Sequence, residues 1–253
     1  MTSKINRVLL EWKSGDIHGL KWIMARGLGR RHVYHYAEKG VFQKLGPGVF
    51  RKANDEIPWP AVIKYLQVEE CWPLHISGRS ALELHGHGHY VPMGKIKIFL
   101  LSYDKAILPK WIANLSFDYE FIFKKSSLLD KEGFLVEKNI EGFPVKIASR
   151  ELAALELIEA FDLTHGLEDV GNYLESLGSL RASYVQNLLE NCNSVKIKRV
   201  FLYLVEKLEL PFFQKLKLSK ISLGSGKRVI VQNGEFNKKY QITVDRDYGD
   251  NPF

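Results

Sequence analysis

Residues 28–52 read LGRRHVYHYAEKGVFQKLGPGVFRK, and this stretch decides the fold expected of the chain. Arg30 to Lys39 has the length of a short helix, which Gly40 can end in the left-handed conformation that costs most other residues energy. Val41–Phe42 and Val49–Phe50 are strand-like pairs, and Lys44, Leu45, Gly46, Pro47 and Gly48 between them favour a tight turn. A helix followed by such a hairpin is the outline of a DNA-recognition helix and its wing. Within the helix, Val33 and Ala37 are four apart and share one face, whereas Arg31, Tyr34, His35 and Glu38 share another. The first face can pack, which leaves the second to meet a partner. Gly29 stands at the expected N-cap, where Ser or Thr is more usual, and a bare cap leaves backbone N–H groups for a phosphate.

Upstream, Ile5, Val8, Leu9 and Trp12 recur at helical spacing behind a capping Ser3, so the first segment is an amphipathic helix. Ser14, Gly15 and Asp16 break it, and Leu20, Ile23 and Met24 give a second short stripe that ends near Gly27. Helix, break, helix, short turn and basic helix is the helix-turn-helix order, in which the second helix of the motif enters the major groove. Charge agrees with this. Between Ile17 and Lys52 the cations Lys21, Arg26, Arg30, Arg31, Lys39, Lys44, Arg51 and Lys52 face the single acid Glu38. The whole 253-residue chain carries a formal charge of +7 and a pI near 9.2, favouring nucleic acid over an anionic membrane as the acidic partner.

Downstream of a polar connector through Asn54, Asp55, Glu56, Pro58 and Pro60, a helix is expected around Trp59, Val62, Ile63 and Leu66. Another carries Ala81, Leu82 and Leu84 behind a capping Ser77. The grammar then changes at Met93 and Gly94, where Ile96, Ile98 and Leu100 alternate with Lys95, Lys97 and Phe99 as in a strand. The expected fold class is therefore α+β. A winged helix-turn-helix domain with a helical extension spans residues 1–93, and a mixed α+β domain spans 94–253. In that second half, a helix is expected within 107–115 and strands around Tyr119–Phe123, Phe134–Val136 and Phe143–Ile147. Further helices follow, one capped by Ser149 and others at 167–177, 181–192 and 195–208. Strand-like segments at 228–231 and 240–244 close the chain, and Tyr248–Phe253 is expected to fray.

Candidate chemistry is sparse. Cys71 and Cys192 are far apart with no CxxC, which argues against a zinc ribbon or disulfide scaffold and for a reducing compartment. No signal-peptide pattern and no run of eighteen apolar residues is present, so the cytoplasm is the expected location, without membrane association. His85, His87 and His89, with Cys71 and His75 upstream, are the residue types of a zinc site. Gly86 and Gly88 make the stretch a turn, however, and a polar loop without metal or cofactor is expected. Gly78-Arg79-Ser80-Ala81 lacks the closing Gly of a nucleophile elbow, and Gly224-Ser225-Gly226-Lys227-Arg228 lacks the spacing and the Ser or Thr of a phosphate loop. Glu69 and Glu70 show no spacing suited to acid–base work. The chain is not expected to be an enzyme. A second basic cluster, Lys196, Lys198 and Arg199 with Lys215, Lys217, Lys220, Lys227 and Arg228, is expected to be a solvated face that in part extends the DNA contact or meets a partner.

Three stretches carry a family resemblance: GLGRRHVYHYAEKGVFQKLGPGVFRK (27–52), HISGRSALELHGHGHYVP (75–92) and GFPVKIASRELAALELIEAF (142–161). They resemble the AbiEi antitoxins, transcriptional regulators of bacterial type IV toxin–antitoxin pairs. The resemblance implies a winged domain that represses its own operon. It also implies a C-terminal domain that counteracts a nucleotidyltransferase-like toxin without forming a stable complex with it. The residues themselves suggest the division of labour on double-stranded DNA. Arg31, Tyr34 and His35 face base edges, Arg30 and His32 sit beside the helix N-terminus, and Lys39, Lys44 and Arg51 contact phosphates. Two alternatives are a metal-dependent nucleic-acid processing enzyme using the His85/His87/His89 turn and a pure protein-interaction module.

Overall fold

The computed structural model describes residues 3–88, 94–104, 107–113, 115, 118–130 and 133–245, with His165 described by its backbone alone. His89, Met93 and the tail Tyr248–Phe253 lie outside these. The chain opens with α1 (Lys4–Glu11), where the Ser3 hydroxyl accepts the Asn6 N–H at 3.3 Å. Val8 and Trp12 are buried and Ile5 and Leu9 pack beside them, so the helical spacing has become one packed face. A three-residue strand, β1 (Ile17–Gly19), then precedes α2 (Leu20–Ala25) and α3 (Arg30–Glu38). Next come β2 (Phe42–Gly46) and β3 (Val49–Lys52), and the three strands form one antiparallel sheet in the order β1-β3-β2. Val8, Trp12, Ile23, Leu28, Val33, Phe42 and Phe50 close a small core of their own, with Trp12 stacked on Phe42 at 5.1 Å between ring centroids.

A second, larger core starts well before Gly94. Helix α4 (Trp59–Lys64) runs into a π-helical turn (Tyr65–Glu69) and is followed by β4 (Leu74–Ile76) and α5 (Gly78–Leu84). Beyond them lie β5 (Ile96–Ser102), α6 (Lys110–Ala113), β6 (Tyr119–Lys125), β7 (Leu135–Ile140) and β8 (Phe143–Ala148). The five strands form a mixed sheet in the order β6-β5-β4-β8-β7. Strand β4 sits at its centre, antiparallel to β5 with Leu74 opposite Ser102, and parallel to β8. The boundary expected at Gly94 therefore separates two neighbouring strands of one sheet. Ile57, Ala61, Val62, Ile63 and Leu66 belong to the larger core, as do Ile17 and Val49 from the first three strands. The β7–β8 hairpin turns through Glu141 (φ 52°) and Gly142 (φ 82°), the two positive φ angles that a tight turn matched to strand twist requires.

Helix α7 (Arg150–Ala160) is capped by Ser149, whose hydroxyl accepts the Leu152 N–H at 3.3 Å, and its residues from Glu151 to Ile158 are all buried. Ser77, at the equivalent place before α5, makes no side-chain cap hydrogen bond. Three more helices follow, α8 (Glu168–Glu175), α9 (Ala182–Asn191) and α10 (Val195–Lys207), and then a small sheet of β9 (Arg228–Val229), β10 (Glu235–Asn237) and β11 (Ile242–Val244). The second basic cluster is not a solvated face throughout: Lys198 is 4% and Arg199 2% exposed. Arg199 donates to the carbonyls of Leu223, Gly224, Gly226 and Gln241 at 2.6–3.2 Å. The glycine-rich turn around Gly224 thus converges carbonyls on a cation, the reverse of a phosphate loop, which converges N–H groups on an anion.

Candidate nucleic-acid interface

Helix α3 is held by its inward face. Val33 is fully buried, and Tyr34, Tyr36 and Ala37 pack against the small core. Arg30, Arg31, His32, His35 and Lys39 are all exposed. At the N-terminus Gly29 (φ −65°) supplies no side-chain cap. At the other end Gly40 takes φ 73°, its N–H bonds the Ala37 carbonyl at 3.1 Å, and the Val41 N–H reaches Tyr36 at 2.9 Å. This pair of bonds satisfies the last carbonyls of the helix and turns the chain straight into β2. Between α2 and α3, Gly27 (φ 91°) makes the left-handed turn and donates to Met24 at 2.9 Å.

The hairpin beside it is longer than the sequence suggests, with β2 continuing through Lys44 and Leu45 so that Pro47 and Gly48 form the tip. Lys44 is exposed, and its Nζ lies 5.8 Å from the Tyr34 ring, which in turn meets Phe50 edge-on at 5.7 Å. Tyr34 is therefore a half-buried brace between α3 and the hairpin, and the expected free reading face narrows to Arg31 and His35. Arg51 is also occupied: its Nε donates to Gln43 Oε1 and its Nη1 to the Asp55 carbonyl, both at 2.8 Å. Gly46 has no room for a side chain, since a Cβ there would stand 2.7 Å from Trp111. The hairpin is thus propped against the larger core, and the Leu20 N–H ties α2 to the Gly48 carbonyl at 2.7 Å.

At the join of the two units lies a largely buried charge network that no motif in the sequence announces. His18, 3% exposed, donates from Nδ1 to Glu69 Oε1 at 2.5 Å, while the other Glu69 oxygen accepts the Gly19 N–H at 2.8 Å. Lys64 donates to both Asp16 oxygens at 3.1 and 2.8 Å. The His18 ring stacks on Trp22 at 3.4 Å, and Arg26 lies over that indole at 3.4 Å while pairing with Glu11 at 2.7 Å. Asp16 and His18 belong to the small unit, Lys64 and Glu69 to the large one. Charges taken out of water need close partners, and these bonds join the small unit to the large one. Lys13 adds a second tie, donating to the Gly142 carbonyl at 2.8 Å.

Two family descriptions match the chain. One, "Transcriptional regulator, AbiEi antitoxin N-terminal domain", covers residues 1–93, and the other, "Transcriptional regulator, AbiEi antitoxin, Type IV TA system", covers 95–245. The chain belongs to the AbiEi antitoxin family. Among solved structures, the RV2827C protein from Mycobacterium tuberculosis is similar in fold, with a TM-score of 0.57 at 13% identity over 90% of this chain and 86% of that one. No curated protein matches the chain.

The other groups singled out in this AbiEi sequence do not converge. Cys71 is exposed, whereas His75 is fully buried and donates to Glu156 Oε1 at 2.6 Å. His85 Nε2 donates to the Ala148 carbonyl at 2.9 Å, and burial lowers its basicity. Among the described residues no three His, Cys, Asp or Glu side chains come together to hold a metal. Ser80 is a structural link, accepting the Phe99 N–H at 3.0 Å and lying 3.2 Å from the Lys97 carbonyl. Among the described residues no helix is long and apolar enough to cross a membrane.

Proposed function

We propose that residues 1–93 of this AbiEi antitoxin act as a winged helix-turn-helix repressor of their own operon in the cytoplasm. Helix α3 enters the major groove of double-stranded DNA and the β2–β3 hairpin serves as the wing. The observation that carries the reading is the arrangement of α3, in which Arg30, Arg31, His32, His35 and Lys39 are exposed around a fully buried Val33. A helix so anchored fits the width of a B-DNA major groove, and Arg31 is placed for bidentate contact with guanine. Lys44 extends the positive surface along the hairpin toward flanking phosphates, while Arg51 chiefly secures that hairpin. Residues 94–253 oppose a nucleotidyltransferase-like toxin without a stable complex, a reading that rests on family membership.

The test is binding to the DNA upstream of the operon and to random duplex across a range of salt. Arg31→Ala should lose about 1–3 kcal/mol on the operator and little on random DNA. Lys44→Ala should weaken both alike and make the salt slope shallower by about 0.9, the increment for one phosphate. Wild-type binding that ignores salt, or that is no tighter on the operator than on random DNA, would sink the proposal.

A further inference from the structure

Residues 195–245 hold eleven Lys and Arg against four acids, an excess as large as the +7 of the whole chain. Buried Arg199 is the hub of this region. Its guanidinium ties the start of α10 to the Leu223–Gly226 turn and to Gln241, the residue before β11, through carbonyl oxygens alone. Carbonyls satisfy its N–H groups without cancelling its charge, which burial disfavours and the nearby Arg228 disfavours further. Lys196, one turn before Arg199, is exposed, and so are Lys227, Arg228 and Lys238, whose carbonyl accepts the Gln241 side-chain amide at 2.9 Å. The four acids of the region are not ion-paired with any of these. Glu206 pairs with Lys239 and accepts the Tyr240 hydroxyl at 2.8 Å, and Asp245 accepts the Leu167 N–H at 2.7 Å. Glu209 follows the opposite end of α10, and Glu235 alternates away from Phe236 on β10. A surface so uncompensated repels itself, and folding alone does not call for it.

The small sheet supplies the rest of the face. Ile242 and Val244 of β11 are buried, which turns Thr243 outward, and register aligns Phe236, Thr243 and Val229 in one row across the three strands. Val229 is 67% exposed, and Lys227 Nζ lies 4.9 Å over the half-buried Phe236 ring. Lys is depleted in protein–protein interfaces and Arg forks match carboxylates better, so a mostly Lys face favours a phosphate backbone. One fully exposed apolar side chain is little anchorage for a bilayer. A duplex would use the cations but leave the apolar row uncovered, because its base faces are stacked inside. A strand with unpaired bases uses both. We propose that this face binds single-stranded nucleic acid. One base packs on Phe236 and displaces Lys227 toward a phosphate, a neighbouring base packs on Val229, and Lys196, Arg228 and Lys238 meet the backbone.

The inference is independent of the operator proposal and is tested on the full chain by fluorescence anisotropy. The probes are mixed-sequence RNA and DNA dodecamers, a random duplex of the same length and phosphatidylglycerol vesicles. Saturable binding of both single strands, tighter than of the duplex, is expected. Phe236→Leu, which keeps an apolar side chain but removes the aromatic face, should weaken it about tenfold, the scale of one stacked base. Replacing Lys227 and Arg228 by Ala should make the slope of log affinity against log salt shallower by about 1.4, the increment for two phosphates of a single strand. Both are exposed, so this double variant should hold its melting temperature and keep the test valid if Phe236→Leu fails to fold. Arg31→Ala in α3 should leave the single strands bound as before. The proposal is overturned if neither strand saturates by about 100 µM, the weak end of non-specific binding. A duplex bound as tightly as the strands, loss of strand binding in Arg31→Ala, or binding of the vesicles alone overturns it too.

Discussion

Two basic helices of this protein look alike on paper and meet opposite fates. RRHVYHYAEK (30–39) in α3 and VKIKR (195–199) at the start of α10 both mix cations with apolar residues at helical spacing. In α3 the cations Arg30, Arg31 and Lys39 stay outside, whereas in α10 Lys198 and Arg199 are buried. The difference lies in what surrounds each helix. The neighbours of α3 are a helix and a hairpin that satisfy their own backbone groups, so its side chains remain available. Helix α10 packs on α7 and α8, and beside its Arg199 runs an irregular segment with positive φ at Gly224 and Gly226. A planar guanidinium with five N–H groups is suited to collecting the carbonyls of such a segment, and Arg199 does so. Positive charge in a sequence is thus evidence of a nucleic-acid contact only where the surrounding backbone has no need of it.

The strongest way to break this contrast is Arg199→Met, compared with Arg31→Met. Each buried acceptor left unpaired costs about 1–3 kcal/mol, so the first should lose on the order of 3 kcal/mol or more in urea unfolding. Arg31 is exposed, and its replacement should stay within roughly 0.5 kcal/mol. Operator binding should show the opposite ranking when both proteins are assayed below their unfolding transitions. A stable Arg199→Met protein that had lost DNA affinity would place the second basic cluster at the interface after all.

Gly46 sharpens the comparison from the other side, because it tests whether the exposed cations of the hairpin depend on the larger core. A Cβ at this position would overlap Trp111, so Gly46→Ala should cost about 1–3 kcal/mol, the usual range for overpacking. If the hairpin is indeed propped there, a double-mutant cycle with Trp111→Leu should reveal coupling of about 0.5 kcal/mol or more. Additive losses would mean that the hairpin stands by itself.

What could be read in advance follows from how local each cause is. Helix α1 with its Ser3 cap, α3 with its Gly40 stop, the Glu141–Gly142 turn and the Ser149 cap were all legible, since residues within one or two turns determine them. Strand β1 was not, because the three residues Ile17, His18 and Gly19 are too few to show alternation and are held by pairing with β3. Nor was the central place of β4, which depends on partners around residues 100 and 147. At the site, the exposure of Arg30, Arg31, His35 and Lys44 follows from helical and strand period. The diversion of Tyr34 and Arg51 into bracing does not, since Phe50, Gln43 and Asp55 reach them only once the hairpin has closed. The network of Asp16, His18, Lys64 and Glu69 joins residues some fifty positions apart and leaves no local signature.

The smallest expected effect concerns the one place where α3 forgoes a local stabiliser that α1 uses. Gly29 has φ −65°, open to any residue, and a Cβ there would meet only His32 Nδ1 at 3.5 Å, an ordinary contact. Gly29→Ser should therefore fit without strain and cap α3 as Ser3 caps α1, raising stability by about a few tenths of a kcal/mol. The same hydroxyl would accept an N–H from the first turn of α3, one of the groups that a bound phosphate would otherwise use. A slight rise in the unfolding midpoint with a fall in operator affinity is the expected pair of results. A rise in both would mean that phosphate contacts come from Lys39 and Lys44 alone, and that the bare cap has no part in recognition.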